Sequence, residues 1–249
     1  MPETMNVGRF IARLDECLNR EDMEAARDCL TWWEGEARRL GDARGLLSVL
    51  NEAVGFYRRM GERGPALRAI DECLPLLESL GLSESPSGAT VLVNAATTLS
   101  AFGDAAGSLP LYARAARCFE AGGRAEAYEY AALLNNRANA LNALGRWDEA
   151  EADWRRAIGI LRREGKHDGD IALSLVSLAH LAFDRDENAF AQVEALLDEA
   201  WEAINSPRQA RDGNYAFILQ KCAPSFDYFQ RPVAAQAMRD VAKEIYAQR

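Results

Sequence analysis

The chain has 249 residues, 49% of them hydrophobic and 27% charged, an ordinary globular composition and enough length to bury a sizeable core. Its net charge of −9, from 29 basic and 38 acidic residues with no basic stripe, argues against a nucleic-acid partner. No apolar run approaches the length of a bilayer span and the start MPETMNVGRF lacks a signal-peptide core, so the expectation is a cytoplasmic protein with no membrane partner.

In chain order the first predicted element is a helical pair over about residues 6–40, with Phe10, Leu14 and Leu18 on one stripe. A second pair is expected over 45–80 and a third over 88–122, separated by the linker-like SLGLSESPSGAT (Ser79–Thr90). A fourth covers 126–164, and a fifth covers 170–205 with the glycine lost from its turn, FDRDENAF. The sixth covers 215–249 and is the most aromatic part of the chain. Pro65 and Pro232 fall where second helices should begin, while Pro75 and Pro110 fall inside second helices, where a kink is expected. No stretch alternates at the period of two that strands require, so the chain reads as all-α.

The elements are copies of one unit. Gly61, Gly103 and Gly145 are separated by 42 residues each, and so are Gly81, Gly123 and Gly165. A fixed period in the range of roughly 20–50 residues is the mark of a solenoid or array. The first glycine series closes one helix and opens a tight turn; the second closes the partner helix. Side-chain size repeats in the same register. Val54, Ala96 and Ala138 precede their glycines, Ala66, Ser108 and Ala150 follow them, and Ile70, Tyr112 and Trp154 come four positions later. Small residues let neighbouring helices approach, and the large ones fill the space beside them.

Within LNNRANALNALGRWDEAEADWRRAIGI, the residues Ala138, Leu141, Gly145, Trp147, Ala150, Trp154 and Ala157 resemble the tetratricopeptide repeat. The usual tetratricopeptide period is about 34 residues; here it is 42, about one extra turn per helix, and in this it resembles the repeats of kinesin light chain and bacterial relatives. The resemblance implies a right-handed superhelix of about six antiparallel helical hairpins, one domain over 1–249, with degenerate first and last units. It also implies that the first helix of each pair lines a concave groove.

One first helix carries Asn135, Asn136, Asn139 and Asn142, although each Asn costs a helix interior about 0.5–0.7 kcal/mol relative to Ala. On a wheel of 100° per residue, Asn135, Asn139 and Asn142 fall within about 60° and Asn136 flanks them. The resemblance puts this face in the groove. In line with Asn136 stand Glu52, Asn94 and Ser177; in line with Asn139, Gly55, Thr97 and His180; in line with Asn135, Asn51; in line with Asn142, Arg58. A carboxamide both donates and accepts, so it can pair with a peptide backbone of any sequence. The same chemistry bridges adjacent repeats. The two readings stand side by side, and the candidate binding residues are Asn51, Arg58, Asn94, Thr97, Asn135, Asn136, Asn139, Asn142, Ser177 and His180.

Arg9, Arg13, Arg58 and Arg59 offer positive charge to a carboxylate, or simply form a solvated face. The tryptophans read as packing, and the aromatics of the last hairpin read as a cap over the core or a face for a partner or second copy. The five cysteines lack paired spacing, which argues against disulfides and zinc and for buried thiols. With two histidines, no adjacent nucleophile, no phosphate loop and no calcium-loop spacing, the expectation is no catalytic residues, no metal and no cofactor. The expected function is a protein-interaction module that binds a peptide or extended partner segment in the groove. The alternative is an assembly scaffold acting by self-association or through its convex face and last hairpin.

Overall fold

A computed structural model of the protein describes residues 3–247; residues 1–2 and 248–249, the extreme ends of the expected domain, lie outside the described residues. Twelve α-helices and no strand occur among the described residues. They form six antiparallel pairs, close to the spans read from the sequence. The chain divides into two compact units, Met1–Ala125 and Glu126–Arg249.

The first unit holds α1 (Val7–Asn19) with α2 (Met23–Leu40), α3 (Ala43–Arg59) with α4 (Arg63–Ser79), and α5 (Pro86–Ala101) with α6 (Ala105–Ala121). Each pair packs face to face, and α3 also packs along α5, so first helices lie side by side. Side chains mark the helix starts: Asn6, Asp22, Asp42, Ser85 and Asp104 each accept a backbone N–H three residues on. This satisfies one of the donors that every helix start leaves open. Ser85 makes α5 begin earlier than expected. Its hydroxyl takes the Gly88 N–H, and Pro86 has the fixed φ suited to a first turn, so half of the linker-like stretch is helix.

The second unit holds α7 (Tyr128–Ala143) with α8 (Trp147–Glu164), α9 (Asp168–Arg185) with α10 (Phe190–Ile204), and α11 (Gly213–Tyr228) with α12 (Pro232–Ala247). Here α9 packs along α11, and α8 along α9. The glycine-less turn after α9 leaves the helix through Asp186 in an extended conformation. Pro232 is the first residue of α12, as its position suggested. Pro75 and Pro110 lie inside α4 and α6, and both helices continue through them.

Both glycine series have left-handed backbone angles, from φ 65° at Gly81 to 90° at Gly103. Residues with a Cβ pay roughly 1–2 kcal/mol for that conformation. The repeat register is the core. Ala66, Ser108 and Ala150 are fully buried, and Tyr112 and Trp154 are among the largest buried side chains. All five cysteines are buried and reduced. Of the tryptophans read as packing, Trp33 and Trp154 are buried, but Trp32 is 60% exposed.

Candidate functional site

In the first unit the predicted site residues are bonded to one another. Asn94, on α5, donates from Nδ2 to the Asn51 carbonyl at 2.7 Å and to Asn51 Oδ1 at 3.2 Å, on α3. Arg58 Nη1 donates to Asn94 Oδ1 at 2.7 Å and to Thr98 Oγ1 at 2.9 Å. Thr97 donates to the Val93 carbonyl and accepts the Tyr112 hydroxyl at 3.0 Å. Asn51, Arg58 and Asn94 therefore bridge α3 and α5 of adjacent repeats.

Arg58 is bonded at one nitrogen only; Nε and Nη2 have no partner among the described residues, and no carboxylate pairs with the guanidinium. Burial lowers its pKa, opposed by the charge of Tyr112. The same burial pushes the Tyr112 phenol up to about 12. A desolvated charge is usually paired, so this one is an exception.

Glu52 is a second. It is half-buried, and among the described residues its only hydrogen bond is from Asn51 Nδ2 to Oε1 at 3.2 Å. Burial raises its pKa; the Asn51 hydrogen bond opposes the shift, and Asp15, a like charge, adds to it. Glu52 and Asn51 line a cleft of about 410 Å³ whose apolar walls include Ile11, Leu47, Leu82 and Val91. Apolar walls with a few convergent polar groups are the usual make-up of a binding cleft.

In the second unit the asparagine helix is divided. Asn135 Oδ1 accepts from Ser174 Oγ of α9 at 2.8 Å. Asn136 is half-buried and Asn139 exposed; neither makes a hydrogen bond among the described residues. Asn142 Oδ1 is buried without a partner. Ser177 donates to the Leu173 carbonyl of its own helix. His180 Nε2 lies 2.9 Å from Ser225 Oγ and its ring packs against Tyr228 and Phe229. Burial lowers the His180 pKa.

Of the cations singled out in the sequence, Arg13 pairs with Glu16 at 2.6 Å. In the last hairpin Tyr215 and Phe226 are buried, whereas Phe217, Tyr228 and Val233 are 47%, 56% and 83% exposed. Glu52 and Gly55 stand in line with Asn136 and Asn139 in the repeat register but were not chosen as candidates, because nothing in a repeat pattern signals an uncompensated charge or an open space. No helix is long and apolar enough to cross a membrane among the described residues.

The tetratricopeptide repeat family matches residues 131–164. No curated protein matches the chain in sequence. Several solved structures share its fold. BtubC (BKLC) from P. vanneervenii is 17% identical, with 91% of each chain covered and a TM-score of 0.64. A putative kinesin light chain with nearly identical TPR-like repeats from Podosopora anserina is also 17% identical, covering 83% of this chain and 96% of that one, with a TM-score of 0.58. A Rap protein complexed with Competence and Sporulation Factor is 17% identical over 96% of this chain and 76% of that one, with a TM-score of 0.57. Identities this low carry the fold and not the ligand.

Proposed function

We propose that this tetratricopeptide-repeat protein is a cytoplasmic interaction module that holds a peptide or an extended segment of a partner protein against the first helices of its hairpins, with the six hairpins acting as one domain. The observation that carries this reading is the division among the asparagines. Asn51, Asn94 and Asn135 are spent on bridges between helices. Asn136 and Asn139 make no hydrogen bond among the described residues while still bearing the helix cost. A free amide on such a face suits an extended backbone, whose own donors and acceptors need partners. The mixed cleft beside Asn51 supports the same reading in the first unit. That a Rap protein of this fold was crystallised with Competence and Sporulation Factor is an analogy in its favour. The role is binding rather than catalysis.

A second reading, self-association or docking through the last hairpin, is favoured by the exposure of Phe217, Tyr228 and Val233. One capture experiment separates the two. Wild type and the Asn136→Leu/Asn139→Leu variant, matched in Tm, are used to draw partners from a lysate of the source cell. The proposal expects a partner held by wild type and lost by the variant. A partner held equally by both would move the function to the convex face or the last hairpin.

A further inference from the structure

Helix α3 puts a glycine between two uncompensated charges. Taken at 100° per residue, Glu52 and Arg58 lie about 60° to either side of Gly55 and about 9 Å apart along the axis. Gly55 stands well inside α3, where glycine is the worst choice after proline. The protein's own packing does not demand it. A Cβ there would meet nothing nearer than the Asn94 carboxamide, at 3.7 Å. The side chain is missing where there is room for one.

The charges on its flanks are also left open from within. Arg58 keeps Nε and Nη2 without partners among the described residues, while Nη1 is bonded to α5. Glu52 keeps Oε2 without one among the described residues, and the charge acting on it, Asp15, has the same sign. Arg44, which lines the same cleft two turns away along α3, is exposed and makes no ion pair with Glu52 among the described residues. Arg59 is exposed, and exposed charges contribute little.

We propose that α3 seats an extended segment whose backbone crosses Gly55, with an acidic group against Arg58 and a basic group against Glu52. The proposal rests on the interaction-module reading and adds the chemistry of the segment. Each half-buried charge gains the opposite charge it lacks, and Arg58 offers its unbonded edge to a carboxylate in two-point fashion. Glycine lets the segment's backbone come close to the helix. An extended chain advances about 3.3–3.6 Å per residue, so the two groups stand two to four positions apart.

The test uses an array of immobilised decapeptides of Leu, Ser and Ala. One set carries an Asp and a Lys two, three or four positions apart in either order; the others carry Asp alone, Lys alone or neither. Wild type is expected to retain the doubly charged set about tenfold more tightly than either singly charged set. Arg58→Gln should remove the dependence on Asp, and Glu52→Gln the dependence on Lys. Gly55→Ala should weaken every retained peptide while raising Tm, which separates a binding glycine from a structural one. Equal retention of all sets by wild type would overturn the charge assignment and leave the module reading standing. Unchanged binding by Gly55→Ala would overturn the seat. Retention of no peptide by wild type, with a lysate partner held equally by the Asn136→Leu/Asn139→Leu variant, would overturn both.

Discussion

Asn94 and Asn139 are the same residue on equivalent helices, with opposite surroundings. Asn94 is held by Asn51 and Arg58 across two helices. Asn139 is exposed. Removing Asn94 leaves half-buried donors and acceptors without partners, which costs roughly 1–3 kcal/mol. Surface substitutions free of such contacts stay within about 0.5 kcal/mol. Urea unfolding should therefore show Asn94→Ala clearly destabilised and Asn139→Ala close to wild type; the reverse order would make Asn139 a structural residue. The helical wheel put Asn139 on the polar side of its helix, and the repeat register put Asn94 in line with Asn136 beside it. It did not tell a bridging amide from a free one, because that depends on which side chain the next helix brings opposite.

At the scale of elements, the hairpin α7–α8 has its own clamp. Arg137 Nε and Nη2 donate to the two oxygens of Asp153 at 2.6 and 2.7 Å. The Asp153 side chain is 10% exposed and that of Arg137 is 24%. Breaking a buried pair from one side costs about 3–5 kcal/mol, and the partial exposure of Arg137 places Asp153→Ala near the lower end. In repeat proteins each unit leans mainly on its neighbours. Hydrogen exchange should then show α7 and α8 losing protection first while α11 and α12 stay close to wild type. Equal loss in both pairs would show that the second unit opens as a single block. The hairpin itself was legible in the sequence through Ala138, Gly145 and Ala150, but the clamp was not: an Arg and an Asp sixteen residues apart meet only once the turn is closed.

For the molecule as a whole, stability is tied to pH through His180. Burial holds its pKa below the ordinary value of 6.5, so the folded chain favours the neutral ring and the unfolded chain binds the proton more readily. The stability it contributes is complete above pH 6.5 and is lost as pH falls from there through the lower folded-state value. Denaturation followed across that window should show wild type weakening toward acid, and His180→Gln should lose that part of the slope. A slope unchanged in the variant would assign the effect to other groups. The net charge of −9 is a statement about solubility and long-range attraction, and it leaves the fold untouched.

The twelve helices, their pairing and their buried register could be read from the chain because each is written locally and then repeated. A glycine at a turn, a small residue at a close approach and an aromatic beside it have the same meaning in every copy, and three copies in register make the reading secure. The start of α5 escaped because its cap depends on one hydroxyl reaching one N–H inside a stretch that looks like linker. The division of the asparagines, the unpaired edges of Arg58 and Glu52, and the exposure of Trp32 belong to the tertiary structure alone. They are set by distances between side chains on different repeats, fixed only when one helix packs against the next, and no periodicity along the chain encodes them.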